Sequence, residues 1–354
     1  MPRLNRTLFV LAIAALVLST AGFAQPPAAP ELVGVAIRAD LDAIVAFAKQ
    51  SRMMKEIGSG QMWGRVTGFP SSTKTVNRAA DQFRKAGIAD VRIQPIAQEA
   101  NASFWMPLSW ELKLLADPSF GPGSRDVVLE SAMPLSPSNL PTGTLTAPLV
   151  YVSGGNSSLL QHIDVKGKIA VQLTVPQGHM LFERGVIASR SQDLLKRGAV
   201  GVFNLVRLPG NERSRDFSNC GNPCFNLGGR DGLFLESVLD RAAQAGLADT
   251  VRVQIALKTE TRSGLKAENG IAVIPGRSDE VIVLNAHVDA WFDGAGDNAD
   301  GLSVLIALAK HFAKPANRPD RTLVFVASAG HHSPGMNGPR NFVTANPDLS
   351  LIHI

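Results

Sequence analysis

Hydrophobic positions in residues 31–58 recur at helical spacing, with Ile37, Leu41, Ile44, Val45, Phe47 and Ala48 in one stripe and Asp40 on the solvent side. The segment WGRVTGFPSS (Trp63 to Ser72) breaks the rhythm with Gly64, Gly68 and Pro70 and reads as loop. Thr75 to Ala86 is a second predicted helix, with Val76, Ala79, Ala80 and Phe83 on one side and Gly87 at its stop. Val91–Ile96 alternates as a strand, and Trp105–Leu115 as another, with Trp105 and Trp110 assigned to sheet packing. From about Ser124 the apolar runs shorten: Val127–Leu129, Leu149–Val152 and Lys168–Leu173 are separated by Gly, Pro, Ser and Asn. A helix at Gln192–Lys196, a strand at Ala199–Leu205, a helix at Leu233–Ala245 stopped by Gly246, and a strand at Val251–Leu257 follow. The Arg-rich stretch Arg207–Arg215 reads as solvated surface.

The strongest pattern lies in Glu280 to His332. Val281, Ile282, Val283 and Leu284 form a short apolar run, expected to be a strand buried on both faces. Asp297-Asn298-Ala299-Asp300 offers helix-start chemistry, and Leu302, Leu305, Ile306, Leu308, Ala309 and Phe312 follow at helical spacing before Pro315 and Pro319. Leu323–Ala327 makes a second strand. This is a βαβ unit, which sets two parallel strands side by side. Ligands of open α/β sheets bind beyond the carboxyl ends of such strands. The first strand ends in His287, Asp289, Asp293 and Asp297, the second in His331 and His332. The predicted fold is α/β: a mixed, mostly parallel sheet flanked by helices, with residues 124–260 as a β-rich insert between 25–123 and 261–354.

Composition narrows the picture. The net charge of +5 comes from 35 basic and 30 acidic residues, and loss of Arg3 and Arg6 would leave +3. There is no basic stripe with interleaved aromatics, so nucleic-acid binding is not suggested. Residues 1–24 have the form of a secretory signal: basic Arg3 and Arg6, an apolar core from Leu8 to Leu18, then Gly22 and Ala24 at a cleavage site. A secreted or periplasmic protein, with no stable membrane insertion after cleavage, is expected. Cys220 and Cys224 are the only cysteines. In an oxidising compartment their C-x3-C spacing reads first as a local disulfide.

At the convergent edge, His287 can offer a neutral ring nitrogen to zinc. Asp289, two residues on, shares its face of the strand and can orient the imidazole from its other nitrogen. Asp297 sits in GAGDN, where Gly294 and Gly296 allow tight backbone near an ion. A lone strand-end histidine is as often structural as ligating. H-x-D followed by GxGDN on the first strand of a βαβ unit is far more specific. Ala299 stands where a dinucleotide fingerprint would need its third glycine.

HVDAWFDGAGDNADG followed by RTLVFVASAGHH resembles the co-catalytic zinc aminopeptidase family, which includes secreted bacterial leucyl aminopeptidases and carboxypeptidase-like relatives of the transferrin receptor. The likeness extends to GRVTGFPSS. The runs TGTLTAPLVYVSGG, DVKGKIAVQL and LLKRGAVGVFNL resemble a protease-associated domain. The resemblance implies an exported hydrolase of short peptides, with two zinc ions in the full-length protein. It gives His287 as a ligand, Asp289 as the orienting catalytic acid and Asp297 as the bridging ligand. The family's second strand ends in two glutamates, a general base and a ligand; those positions fall on His331 and His332. His332 can still ligate metal, with one negative charge fewer. His331 can accept a proton near neutrality, although metal cations oppose its charging. The alternative implied by this departure is a catalytically silent relative that binds peptide or protein. The family's remaining acidic and histidine ligands would lie past LSLIHI, so a truncated chain is expected, with His353 in a strand.

Overall fold

The computed structural model describes residues 29–153, 160–175, 184–215 and 223–347. The expected signal segment 1–24, Cys220, and the LSLIHI end with its expected strand lie outside them. The chain begins with α1 (Gly34–Met53), β1 (Gly64–Arg65), α2 (Pro70–Lys85) and β2 (Asp90–Ala97). Then come β3 (Phe104–Leu114), β4 (Val127–Val128), β5 (Met133–Pro134), β6 (Thr144–Ser153), β7 (Ile169–Thr174), α3 (Arg184–Lys196), β8 (Gly201–Val206), β9 (Cys224–Leu227), α4 (Gly229–Gln244) and β10 (Arg252–Arg262). The final part runs through β11 (Lys266–Ile274), β12 (Ser278–His287), β13 (Ala290–Trp291), α5 (Asp300–Phe312), β14 (Arg321–Ser328) and α6 (Gly338–Ala345).

The strands sort into two large sheets. A four-stranded sheet has the order β12-β14-β11-β2, and an eight-stranded sheet gathers β3 to β10. The expected βαβ unit is present: β12 and β14 are parallel, with Val283 opposite Val324 and His287 opposite Ser328. The four-stranded sheet is mixed, but its parallel share is smaller than expected, because β14–β11 and β11–β2 are antiparallel. Parallel pairing recurs in the larger sheet, across β6, β7, β8 and β9. Strand β3, which precedes residue 124, pairs with β10 in that larger sheet.

Side-chain alternation along β14 builds two cores. Leu323, Phe325 and Ala327 join Ile44, Val76, Phe83 and Ile306 from α1, α2 and α5. Val324 and Val326 turn to the other face, where Phe342 of α6 covers them. Strand β12 differs from expectation. Ile282 is 41% exposed, because β12 stands at the sheet edge and only β14 flanks it among the described residues. Asp40 also differs: it is 6% exposed rather than on a solvent face. Arg78 of α2 and Lys310 of α5 donate to its two oxygens at 2.7 and 2.6 Å, so this one carboxylate ties three helices together.

In the larger sheet, Trp110 is buried and donates from Nε1 to the Ala132 carbonyl, while Trp105 donates to Ser138. The Arg207–Arg215 stretch is not simply solvated. Arg207 pairs with Glu236, Arg213 lies over the Trp110 ring, and Arg215 stacks 3.7 Å above Trp291. Cys224 is disulfide-bonded, as the two-cysteine count led one to expect. Among the described residues, no helix is long and apolar enough to cross a membrane.

Candidate metal centre

Three separate segments meet where β12 and β14 end. His287 closes β12, and Val288 then bonds back to β14 through its N–H and the Ser328 carbonyl at 2.8 Å. Gly64 and Arg65 of β1 lie antiparallel to Trp291 and Ala290 of β13. That approach demands glycine at position 64: its φ is +145°, and a Cβ there would stand 2.3 Å from the Ala290 carbonyl oxygen. Gly294 is in the left-handed region at φ +54°, as expected of a tight loop, whereas Gly296 has open space around it and no such need. Asp297 lies in extended backbone at φ −139° before α5. The helix begins at Asp300, within the expected start segment Asp297–Asp300; its cap residue is Ala299, which makes no side-chain cap bond.

Asp297 turns to the histidines. Its Oδ1 is 2.9 Å from His287 Nε2, and its Oδ2 is 3.2 Å from His332 Nε2. One potential ligand atom from each of His287, Asp297, His331 and His332 lies within 4.8 Å of all the others. The His331 ring stacks on that of His287, with centroids 4.2 Å apart. His332 Nε2 is buried and makes no hydrogen bond despite its nearness to the carboxylate. Zinc–nitrogen and zinc–oxygen bonds are about 2.0–2.2 Å, so two ligands on one tetrahedral ion stand roughly 3.3 Å apart. The spacing of Asp297 from both imidazoles and the orphaned nitrogen of His332 therefore fit a divalent metal.

Asp289 is fully buried beneath this group. Its carboxylate accepts from Thr67 Oγ1 at 2.8 Å, from the His332 N–H at 2.8 Å and from the His331 N–H at 3.3 Å. His287 Nδ1 hydrogen-bonds the Asp289 carbonyl oxygen at 2.9 Å, whereas the carboxylate stands 3.5 Å from it and acts through its charge. The acid expected to orient His287 thus does so mainly through its backbone, and its side chain holds the loop that carries His331 and His332. Burial disfavours the Asp289 charge, but the donors around it prevail and hold its carboxyl below the ordinary range. Burial opposes protonation of His287, yet the Asp289 carboxylate and carbonyl raise its pKa. Burial lowers that of His332, in spite of Asp289 and Asp297.

Sequence reasoning assigned no role to Arg65 or Thr67, although both stand in the GRVTGFPSS segment. Arg65 is 0% exposed. Its guanidinium donates to the carbonyls of Val288, Asp293 and Gly294 at 3.0, 2.9 and 2.9 Å, clamping the loop from β12 to Asp297. Burial pulls its pKa down to about 10, against the pull of Asp289, Asp297 and Asp293. Thr67 donates to Asp289 and accepts from the Gly330 N–H at 3.0 Å, so it links both strand ends. A charged residue between Gly64 and Val66 in a loop was the available signal. The histidines open on a cavity of about 540 Å³ lined also by Asn285, Ser328, Met336 and Asn337. A larger cavity of about 760 Å³ lies beyond Asp293 and Gly294, against Trp63, Trp110 and Phe292, and no histidine of the cluster lines it.

Residues 269–354 match the family model of Peptidase family M28. Over 61 residues the chain is 43% identical to a protein described as a probable glutamate carboxypeptidase from Arthroderma benhamiae; the match spans 16% of this chain and 8% of that protein's length. A Peptidase M28 precursor from Shewanella amazonensis SB2B superposes over 88% of this chain and 72% of its own, with 19% identity and a TM-score of 0.58. An aminopeptidase from Aneurinibacillus sp. strain AM-1 gives 88%, 67%, 22% and 0.51 in the same order. The zinc aminopeptidase BSAP from Bacillus subtilis gives 81%, 61%, 19% and 0.51. At these identities the structural likeness is one of fold. Together with the family match on the metal-edge segment, it bears out the resemblance to the co-catalytic zinc aminopeptidases.

Proposed function

We propose that this chain, whose residues 269–354 match the model of Peptidase family M28, acts as an exported zinc-dependent hydrolase of short peptides with a free N-terminus. The observation that carries the reading is the meeting of His287, Asp297 and His332 at the carboxyl ends of β12 and β14. These three would hold zinc. Bound zinc supplies Lewis-acid polarisation of a scissile carbonyl and a lowered pKa for an attacking water. Asp289 would fix His287 and the His331–His332 loop, and Arg65 would fix the loop that presents Asp297. The cavity beside the histidines would receive the peptide end. Residues 124–260, extended by β3, would form the protease-associated-like insert. Residues 1–24 would direct export and be removed.

A second reading follows from the imidazoles at 331 and 332, where the resemblance implies glutamates: a relative that binds peptide without cleaving it. The deciding experiment assays the full-length secreted protein on a broad aminoacyl-chromogenic panel, with and without a chelator, alongside metal analysis. Chelator-sensitive turnover supports the peptidase. Bound zinc with no turnover on any member of the panel removes it and leaves the binding reading.

A further inference from the structure

We propose that a cavity beside the eight-stranded sheet binds the carboxyl-terminal end of an extended peptide whose last residue is apolar, with Arg125 and Arg241 on its carboxylate. The cavity shares no lining residue with the one beside the histidines, and the proposal does not rest on the function proposed above.

The cavity measures about 500 Å³ and lies between the end of β3, the loop after it, the start of β4 and α4. That is a size small ligands fill. Its walls are mainly apolar. Helix α4 turns Leu235 and Leu239 into the core. A second stripe of the same helix, Phe234, Val238 and Arg241, faces the cavity at helical spacing. Phe120 of the facing loop and Val127 of β4 complete the apolar wall. Phe120 and Phe234 stay 39% and 40% exposed, so two aromatic rings are left partly open to solvent at one cavity.

The charges select the ligand. Arg125 and Arg241 line this cavity, and its lining includes no acidic side chain. Neither guanidinium has a hydrogen bond or ion pair with a described residue. The acids of the facing loop are engaged in shaping it. Asp117 accepts from the Ser119 N–H at 2.9 Å, and Asp126 accepts from the Ala116 N–H at 2.9 Å. Two guanidiniums beside apolar walls match a carboxylate next to an apolar group. Strand β4 then favours a peptide over a free fatty acid. It ends the eight-stranded sheet, with β3 as its strand neighbour among the described residues. Such an edge offers main-chain donors and acceptors that an extended peptide uses and an acyl chain does not.

The test titrates the full chain with a short peptide ending in Phe-Leu, its amino end blocked by fluorescein and its carboxylate free, and reads anisotropy. Saturable binding is expected, and the carboxamide form of the same peptide should bind at least about tenfold more weakly. Arg125→Gln and Arg241→Gln should each weaken the acid form by a similar factor, with circular dichroism unchanged. Asp297→Ala should bind it as the parent chain does. No binding of the acid form, equal affinity for acid and amide, or unchanged affinity in both arginine variants overturns the proposal. So does loss of binding in Asp297→Ala, which would place the peptide at the metal centre. Binding of dodecanoate without binding of the peptide overturns it in favour of a fatty-acid site. Each of these outcomes leaves the peptidase reading to its own turnover assay.

Discussion

The Thr67 hydroxyl donates to the buried carboxylate of Asp289 at 2.8 Å, and through it a loop near the N-terminus supports the two strand ends of the candidate metal centre. Because the same oxygen accepts from the Gly330 N–H, isosteric replacement of Thr67 leaves that buried N–H unpaired and takes one of three donors from the Asp289 carboxylate. Thr67→Val is expected to cost about 2 kcal/mol in urea unfolding. It should also weaken zinc binding by about 10–100-fold, read by titration against a competing chelator.

Asp289 makes stability depend on acid in one direction. Its burial alone would raise its carboxyl, but the neighbouring His287 ring, the His332 N–H and Thr67 outweigh that and hold its folded-state pKa below the unfolded value. The stabilisation is therefore complete above the unfolded pKa of about 3.9 and is lost as pH falls through the lower folded value. Thermal melting between about pH 5 and pH 2.5 should show a steep decline in the parent chain and a flatter one in Asp289→Asn, which starts from a lower melting temperature. Parallel curves would refute this.

Arg65 reaches three carbonyls with one planar fork. A lysine at that position keeps the charge but not the fork, and leaves buried acceptors empty. Arg65→Lys should destabilise the fold by on the order of 3 kcal/mol in denaturant unfolding. Hydrogen exchange should rise in the 288–297 loop before it rises in α1.

Asp297 and Asp289 should separate cleanly on substitution. Asp297 is 63% exposed at its side chain and pairs with the imidazoles of His287 and His332, whereas Asp289 is fully buried. Asp297→Ala is expected to lower metal content more than Asp289→Ala while leaving the melting temperature nearly unchanged. Asp289→Ala should lower the melting temperature markedly. Equal and negligible metal losses would remove the ligand role of Asp297.

Much of this was legible in the residues themselves. The β12–α5–β14 unit follows from two apolar runs around a helical stripe, and its carboxyl ends carry the histidines and acids as expected. Asp40 was misread because periodicity shows which face a residue occupies, not whether Arg78 and Lys310 arrive to bury it. Ile282 was misread because an apolar run cannot reveal whether its strand has one neighbour or two. The segment Asp297–Asp300 matched the helix-start pattern and the helix begins at Asp300, while Asp297 itself faces His287 and His332. Arg65 and Thr67 escaped notice because their partners are carbonyls and a carboxylate more than two hundred positions away, contacts that leave no local periodicity.

The antiparallel bridge of Gly64–Arg65 to Ala290–Trp291 has a kinetic consequence. It joins segments whose clamp, Arg65 to Val288, spans 223 positions of chain, the kind of long closure that forms slowly. Until that closure occurs, Asp289 lacks Thr67, the Asp297 loop lacks its guanidinium, and the histidines have no fixed frame. High-affinity metal uptake should therefore accompany the last association of the amino-terminal segment with the sheet, and a refolding chain would signal its completion by capturing its ion.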